Sequence, residues 1–180
     1  QILWINLIGD GFLGAALAFD PAEEDTMRKK PHPKNASIIN KTMIKLMATI
    51  SIITGLGMLA LFYWLYVIQN IDLAEVRTII FCFLAFDSLL YVFSIRDPYI
   101  SFFHEKFFSN WYLIVAVLLG FLLQIVTVYA PPFQALFKTV PLNLFDWAII
   151  TGASILTITA IEITKKILYR PKNNNSTLTK

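Results

Sequence analysis

Five apolar stretches, each close to the length that crosses a bilayer, constrain this chain more than anything else in it. They run over residues 1–19, 43–68, 78–95, 111–130 and 144–161. A hydrocarbon core about 30 Å thick takes about 20 apolar residues as a helix. Only helices and closed barrels satisfy every backbone hydrogen bond there. The pattern predicts an all-α membrane protein, a bundle of five transmembrane helices. Composition agrees: 57% of the 180 residues are hydrophobic and the mean hydropathy is +0.63, above the roughly 45–50% of an ordinary soluble domain. The net charge of +3 and the lack of an aromatic-interleaved basic patch exclude a nucleic-acid partner. The lipid bilayer is the first partner to expect.

Basic residues orient the spans. Arg28, Lys29, Lys30, Lys34, Lys41 and Lys45 surround the first connector; Arg96 and Lys106 flank or occupy the third; Lys165, Lys166, Arg170, Lys172 and Lys180 gather at the end. The other two connectors hold Arg77 and Lys138 alone. The positive-inside rule makes the first side cytoplasmic and puts the C-terminus there. Trp4, Trp64, Trp111 and Trp147, with Tyr63, Tyr66 and Tyr129, read as an interfacial belt. Gly55 and Gly57 allow a neighbouring helix to come close. Pro131, Pro132 and Pro141 read as breaks in the outer loop. Residues 171–180, rich in Asn, Ser and Thr, read as a disordered cytoplasmic tail. The chain opens on Gln1 already inside an apolar helix and without a basic flank. That is expected of a segment from within a longer protein, not of a signal peptide.

The chemistry of the chain lies in a few polar residues inside the apolar runs. Asp10 follows Asn6 by four residues and has Gly9 and Gly11 on either side. A carboxylate at mid-membrane costs about 2.5–3.5 kcal/mol on insertion scales and is kept as a rule for function. The i, i+4 spacing places the amide and carboxylate on one face. Each glycine weakens the helix by about 1 kcal/mol against alanine and can free backbone carbonyls. Carboxylate, amide and carbonyl oxygens suit a hard cation. The plainer alternative is an interhelical hydrogen bond. Asp87 interrupts the third span in the same way. Two such acids in one small bundle are best explained by a shared cavity, though pairing of Asp87 with a residue outside this chain stays open. The candidate metal ligands are therefore Asn6, Asp10 and Asp87.

Other polar residues have structural readings. Asp146 can cap the fifth span, and Glu162 is spaced to pair with Lys165 and Lys166. Cys82 stands alone, so it forms no internal disulfide and no multi-Cys metal site. His32 and His104 share no ligand spacing with it. Glu23, Glu24 and Asp25 precede Arg28, Lys29 and Lys30, either as solvated loop or as a contact for another domain. No Ser-His-Asp order, phosphate loop or Walker pattern is present, so no catalytic residue and no bound cofactor is expected in this chain.

Several stretches resemble one family. Gln1-Ile-Leu-Trp-Ile-Asn-Leu-Ile-Gly-Asp-Gly11, Ala16-Leu-Ala-Phe-Asp-Pro21 and Asp25-Thr-Met-Arg-Lys-Lys-Pro31 are similar to the sixth transmembrane helix and following loop of P-type cation-transporting ATPases, the calcium-pump branch above all. Phe108-Ser-Asn-Trp111, Thr139-Val-Pro-Leu142, Asp146-Trp147 and Glu162-Ile-Thr-Lys-Lys-Ile167 resemble the ninth and tenth helix regions. The resemblance covers the chain to about Arg170. It implies that residues 1–170 are the C-terminal half, helices six to ten, of a ten-helix membrane domain. Asn6 and Asp10 then match ion-binding residues of the sixth helix. Anchoring on Ser94 and Asp97 puts Asp87 where the eighth helix often carries an acid. The phosphorylated Asp, the nucleotide domain and the fourth-helix Pro-Glu-Gly motif are absent, so ATP and magnesium belong to the remainder of such a pump, and the chain alone is not catalytic. The implied partner is that remainder: helices one to five and the cytoplasmic domains. The implied place is the cell membrane of a prokaryote.

One position departs from the pattern. Two-site calcium pumps have Thr before the Asp and one-site pumps usually Met; here the residue is Gly9. The loss of a side-chain oxygen points to a single calcium ion per cycle, while Asp87 points the other way. The competing functions are a free-standing five-span scaffold or regulator, a pump for sodium, potassium or protons, and a proton channel using Asp10 and Asp87.

Overall fold

The computed structural model describes residues 1–20, 41–96 and 110–168, with Asp10, Lys41, Thr42, Ile95, Arg96 and Leu168 described by backbone alone. The basic stretch at 28–34, His32, the acid–base run at 23–30, Asp97, His104 and the tail at 171–180 lie outside the described residues. The described residues form helices and connecting turns, with no strand among them.

The first helix has three parts: α1 (Ile2–Asn6), a π-helical segment π1 (Leu7–Phe12), and α2 (Leu13–Leu17). Next come α3 (Lys41–Tyr63), ending in a second π segment π2 (Trp64–Ile68), then α4 (Leu73–Arg96), α5 (Trp111–Tyr129), the short α6 (Pro131–Phe137) and α7 (Leu144–Leu168). Four helices are long and apolar enough to cross a membrane, and Ile2–Leu17 is a fifth, shorter apolar helix. Such a set makes this a multi-pass integral membrane protein.

Local chemistry sets the ends. Asn143 and Asp146 cap α7 reciprocally: Asp146 N donates to Asn143 Oδ1 at 3.0 Å, and Asn143 N donates to Asp146 Oδ2 at 2.8 Å. This is a capping box with Asn and Asp in place of Ser and Glu. Asn110 caps α5 by accepting from Leu113 N at 3.0 Å. Its amide nitrogen donates to Ala16 O and Asp20 Oδ1, at 3.0 and 3.1 Å. The end of the first helix is thereby tied to the start of α5. Pro131 and Pro132 start α6 instead of only breaking a loop. Proline at the first helical position gives up an amide that has no partner anyway. Helix α6 stops at Lys138, in the left-handed region at φ 52°.

Helix α4 is the axis of the bundle, packed on α7, α5, π1, α1 and α3. One core lies around Phe81, Cys82, Phe83, Val128 and Ile150; the other joins Ile8, Leu13, Leu89, Leu113 and Val117. Within the second core Gly120 of α5 lets three helices meet. A Cβ there would lie 2.5 Å from Leu89 Cδ2 and 3.2 Å from Ile8 Cγ2. Helix α3 is the least covered, with Leu56 and Leu59 exposed and nothing within 4 Å of a Cβ placed on Gly55 or Gly57.

Candidate ion site

The first helix is irregular where two glycines flank an acid. Segment π1 covers Leu7 to Phe12 and so contains Gly9, Asp10 and Gly11. A π turn replaces i→i−4 bonds by wider ones, and such turns frequently accompany functional sites. Glycine lowers the cost of that departure from α geometry. Asn6, the last residue of α1, is exposed in this chain.

Segment π1 meets α4 beside the second acid. A Cβ on Gly9 would lie 3.4 Å from Ser88 Cβ. Positions 10 and 87 are each one residue away from this contact. The Asp87 side chain itself is buried, at 4% exposure, and turns toward α3. There its Oδ2 accepts from Thr54 Oγ1 at 3.5 Å, a long and weak bond. Its Oδ1 has no hydrogen-bond partner among the described residues. Ser154 Oγ on α7 is the other buried side-chain oxygen without one. Helices α4 and α7 run side by side in the same direction: Val140 N, just ahead of α7, donates to Thr78 Oγ1 at 3.1 Å, and Ser94 Oγ donates to Glu162 Oε1 at the other end. Asp87 is two turns before Ser94 and Ser154 two turns before Glu162, which puts the two orphaned oxygens at one depth. An unsatisfied carboxylate oxygen inside a bundle is costly, so this depth suits a hydrated or ionic guest. Among the described residues no three His, Cys, Asp or Glu side chains gather. Among the described side chains the oxygen donors at this depth are the Asp87 carboxylate and hydroxyls, beside the backbone of π1.

A family model described as "Cation transporting ATPase, C-terminus" matches residues 1–167. The chain belongs to the cation-transporting ATPase family. Calcium-transporting ATPase of Bacillus subtilis is 37% identical over 157 residues, covering 87% of this chain and 17% of that protein. Calcium-transporting ATPase 1 of Bacillus cereus is 32% identical over 183 residues, covering 92% and 20%. Human calcium-transporting ATPase type 2C member 1 is 33% identical over 168 residues, covering 93% and 18%. The chain spans about a fifth of the length of these curated relatives.

Other side chains of this cation-transporting ATPase chain take roles the sequence leaves partly hidden. Glu162 pairs with Lys165 at 3.1 Å, as the i, i+3 spacing predicts, but both are buried. The pair also reaches α4, since Lys165 Nζ donates to Ser94 O at 2.6 Å. Lys166 is exposed. Trp4 is not a plain belt residue. It is half-buried, and its indole N–H donates inward to Gln124 Oε1 at 3.1 Å. Gln124 is absent from the sequence-derived candidates, although a lone amide amid the apolar residues of a span is itself a signal. Trp147, in the first turn of α7, donates to Tyr129 Oη at 2.7 Å.

Proposed function

We propose that this chain forms the C-terminal part of an ATP-driven calcium pump and supplies Asn6, Asp10 and Asp87 to its ion site. The observation that carries the reading is the packing of Gly9 in π1 against Ser88. It brings the backbone around Asp10 to the depth at which Asp87 holds an unsatisfied oxygen. Hard oxygen donors favour calcium over zinc or copper. The relatives compared above, all named calcium-transporting ATPases, point the same way. Gly9 offers no side-chain oxygen, so the expected stoichiometry is one calcium ion per cycle. The remaining ligands, with ATP, magnesium and the phosphorylated Asp, belong to the rest of the pump, helices one to five and its cytoplasmic domains. The distribution of basic residues supports a cytoplasmic C-terminus. The two bacterial relatives support a prokaryotic cell membrane.

Calcium-dependent phosphorylation of the full-length protein by ATP tests this. Asp10→Asn should abolish it, because the charge opposing the ion is lost. Asp87→Asn should raise the calcium needed without abolishing it. ATPase activity that ignores calcium and responds to sodium, potassium or low pH would overturn the calcium assignment and leave the pump standing.

A further inference from the structure

Gln124 lies in the last third of α5, among Leu122, Leu123 and Ile125, and is fully buried. A primary amide without partners in that setting is strongly unfavourable. Both ends are occupied here. Its oxygen accepts from Trp4 Nε1 at 3.1 Å, and its nitrogen lies 3.4 Å from Cys82 Sγ. The amide orientation is dictated by chemistry, because an indole N–H can only donate and so requires the oxygen. One side chain thus joins α1, α4 and α5.

Trp4 precedes Asn6 by two residues and Asp10 by six, which is about 3 and 9 Å along a helix. The indole ring packs against Phe137 of α6, with centroids 5.1 Å apart, and against Phe133. Those ring contacts resist translation but set no direction. The directional bond to Gln124 fixes the rotation of α1 about its own axis, and with it the direction in which Asn6 faces. Beyond Asn6 the backbone is π-helical, so the regular turn that holds Trp4 is the last rigid reference ahead of Asp10.

We propose that Gln124 is a positioning residue for the ion site, acting through Trp4 to set the rotation of the helix that carries Asn6 and Asp10. It touches no ion itself. This rests on the pump reading above.

The test uses the full-length protein in membrane vesicles and calcium titrations of phosphorylation by ATP. Gln124→Met keeps the volume and removes both bonds; Trp4→Phe keeps an aromatic ring and removes the donor. Each should raise the half-saturating calcium roughly three- to tenfold, the range of a single interhelical hydrogen bond, with the maximal phosphoenzyme level unchanged. The double variant should shift no further than the larger single one. A packing role alone would lower the amount of phosphoenzyme and leave the half-saturation point in place, and that result overturns the proposal. Shifts that multiply in the double variant overturn it too. If Gln124→Met does not accumulate, Trp4→Phe decides alone, and an unmoved half-saturation point sinks the idea. A wild type without calcium-dependent phosphorylation removes the calcium assignment and this proposal together. A normal wild type with both variants unshifted removes this proposal only.

Discussion

Replacing Gly120 by alanine is the sharpest test of the packing between α5, α4 and π1. The added Cβ would lie 2.5 and 3.3 Å from Leu89 Cδ2 and Cδ1 and 3.2 Å from Ile8 Cγ2. Carbon atoms rest at about 3.5–4.0 Å, so one methyl overlaps Leu89 by about 1 Å. Both neighbours are buried, Leu89 at 0% and Ile8 at 1% exposure, so the Leu89 methyl has to turn within the core. Overpacking of this kind costs about 1–3 kcal/mol. The better helix propensity of alanine returns about 1 kcal/mol. The expected net loss is about 0–2 kcal/mol. Leu89→Ala alone should cost about 2–5 kcal/mol, because it opens a cavity. In the double variant the new methyl enters that cavity, so the combined loss should fall short of the sum by about 1–2 kcal/mol. Unfolding of the purified membrane protein in mixed micelles, followed by tryptophan fluorescence against denaturant, would measure all four corners of this cycle. A strictly additive double variant would refute the reasoning.

Two further outcomes follow from buried polar contacts. Asn110→Ala removes a cap and two bonds to the end of the first helix, and should cost about 1–2 kcal/mol in the same unfolding assay. Lys165→Met removes buried bonds to Glu162 and Ser94 and should cost about 2 kcal/mol or more, whereas Lys166→Met, at an exposed site, should stay within about 0.5 kcal/mol.

The parts of the fold that the sequence makes legible follow from local chemistry. Length and apolarity give the spans, and a glycine pair around an acid marks where the first helix departs from α geometry. Helix α4 begins at Leu73, not 78, because Asp72 Oδ2 accepts from Ala74 N at 2.9 Å and carries the helix past the charged Glu75 and Arg77. The hidden parts depend on neighbours. Nothing in a single helix says that Asp87 turns toward Thr54, or that the Glu162–Lys165 pair is closed over by Ser94. Prolines at 131 and 132 read as breakers because the same residue ends one helix and begins another. Trp4 reads as an interface anchor because its partner, Gln124, lies 120 residues away.

Both N–H groups of the Asn110 amide donate to the end of the first helix, and its oxygen accepts from the start of α5. That makes it a weld between two rods. Sliding the first helix along its axis would either drag α5 with it or strand two amide protons away from water, at a cost of about 1–3 kcal/mol for each group stranded. Gln124 fastens the same two rods near the other end. With both ends pinned, a change in the length or rotation of the first helix falls on the stretch between them, which includes the π-helical turn that carries Asp10.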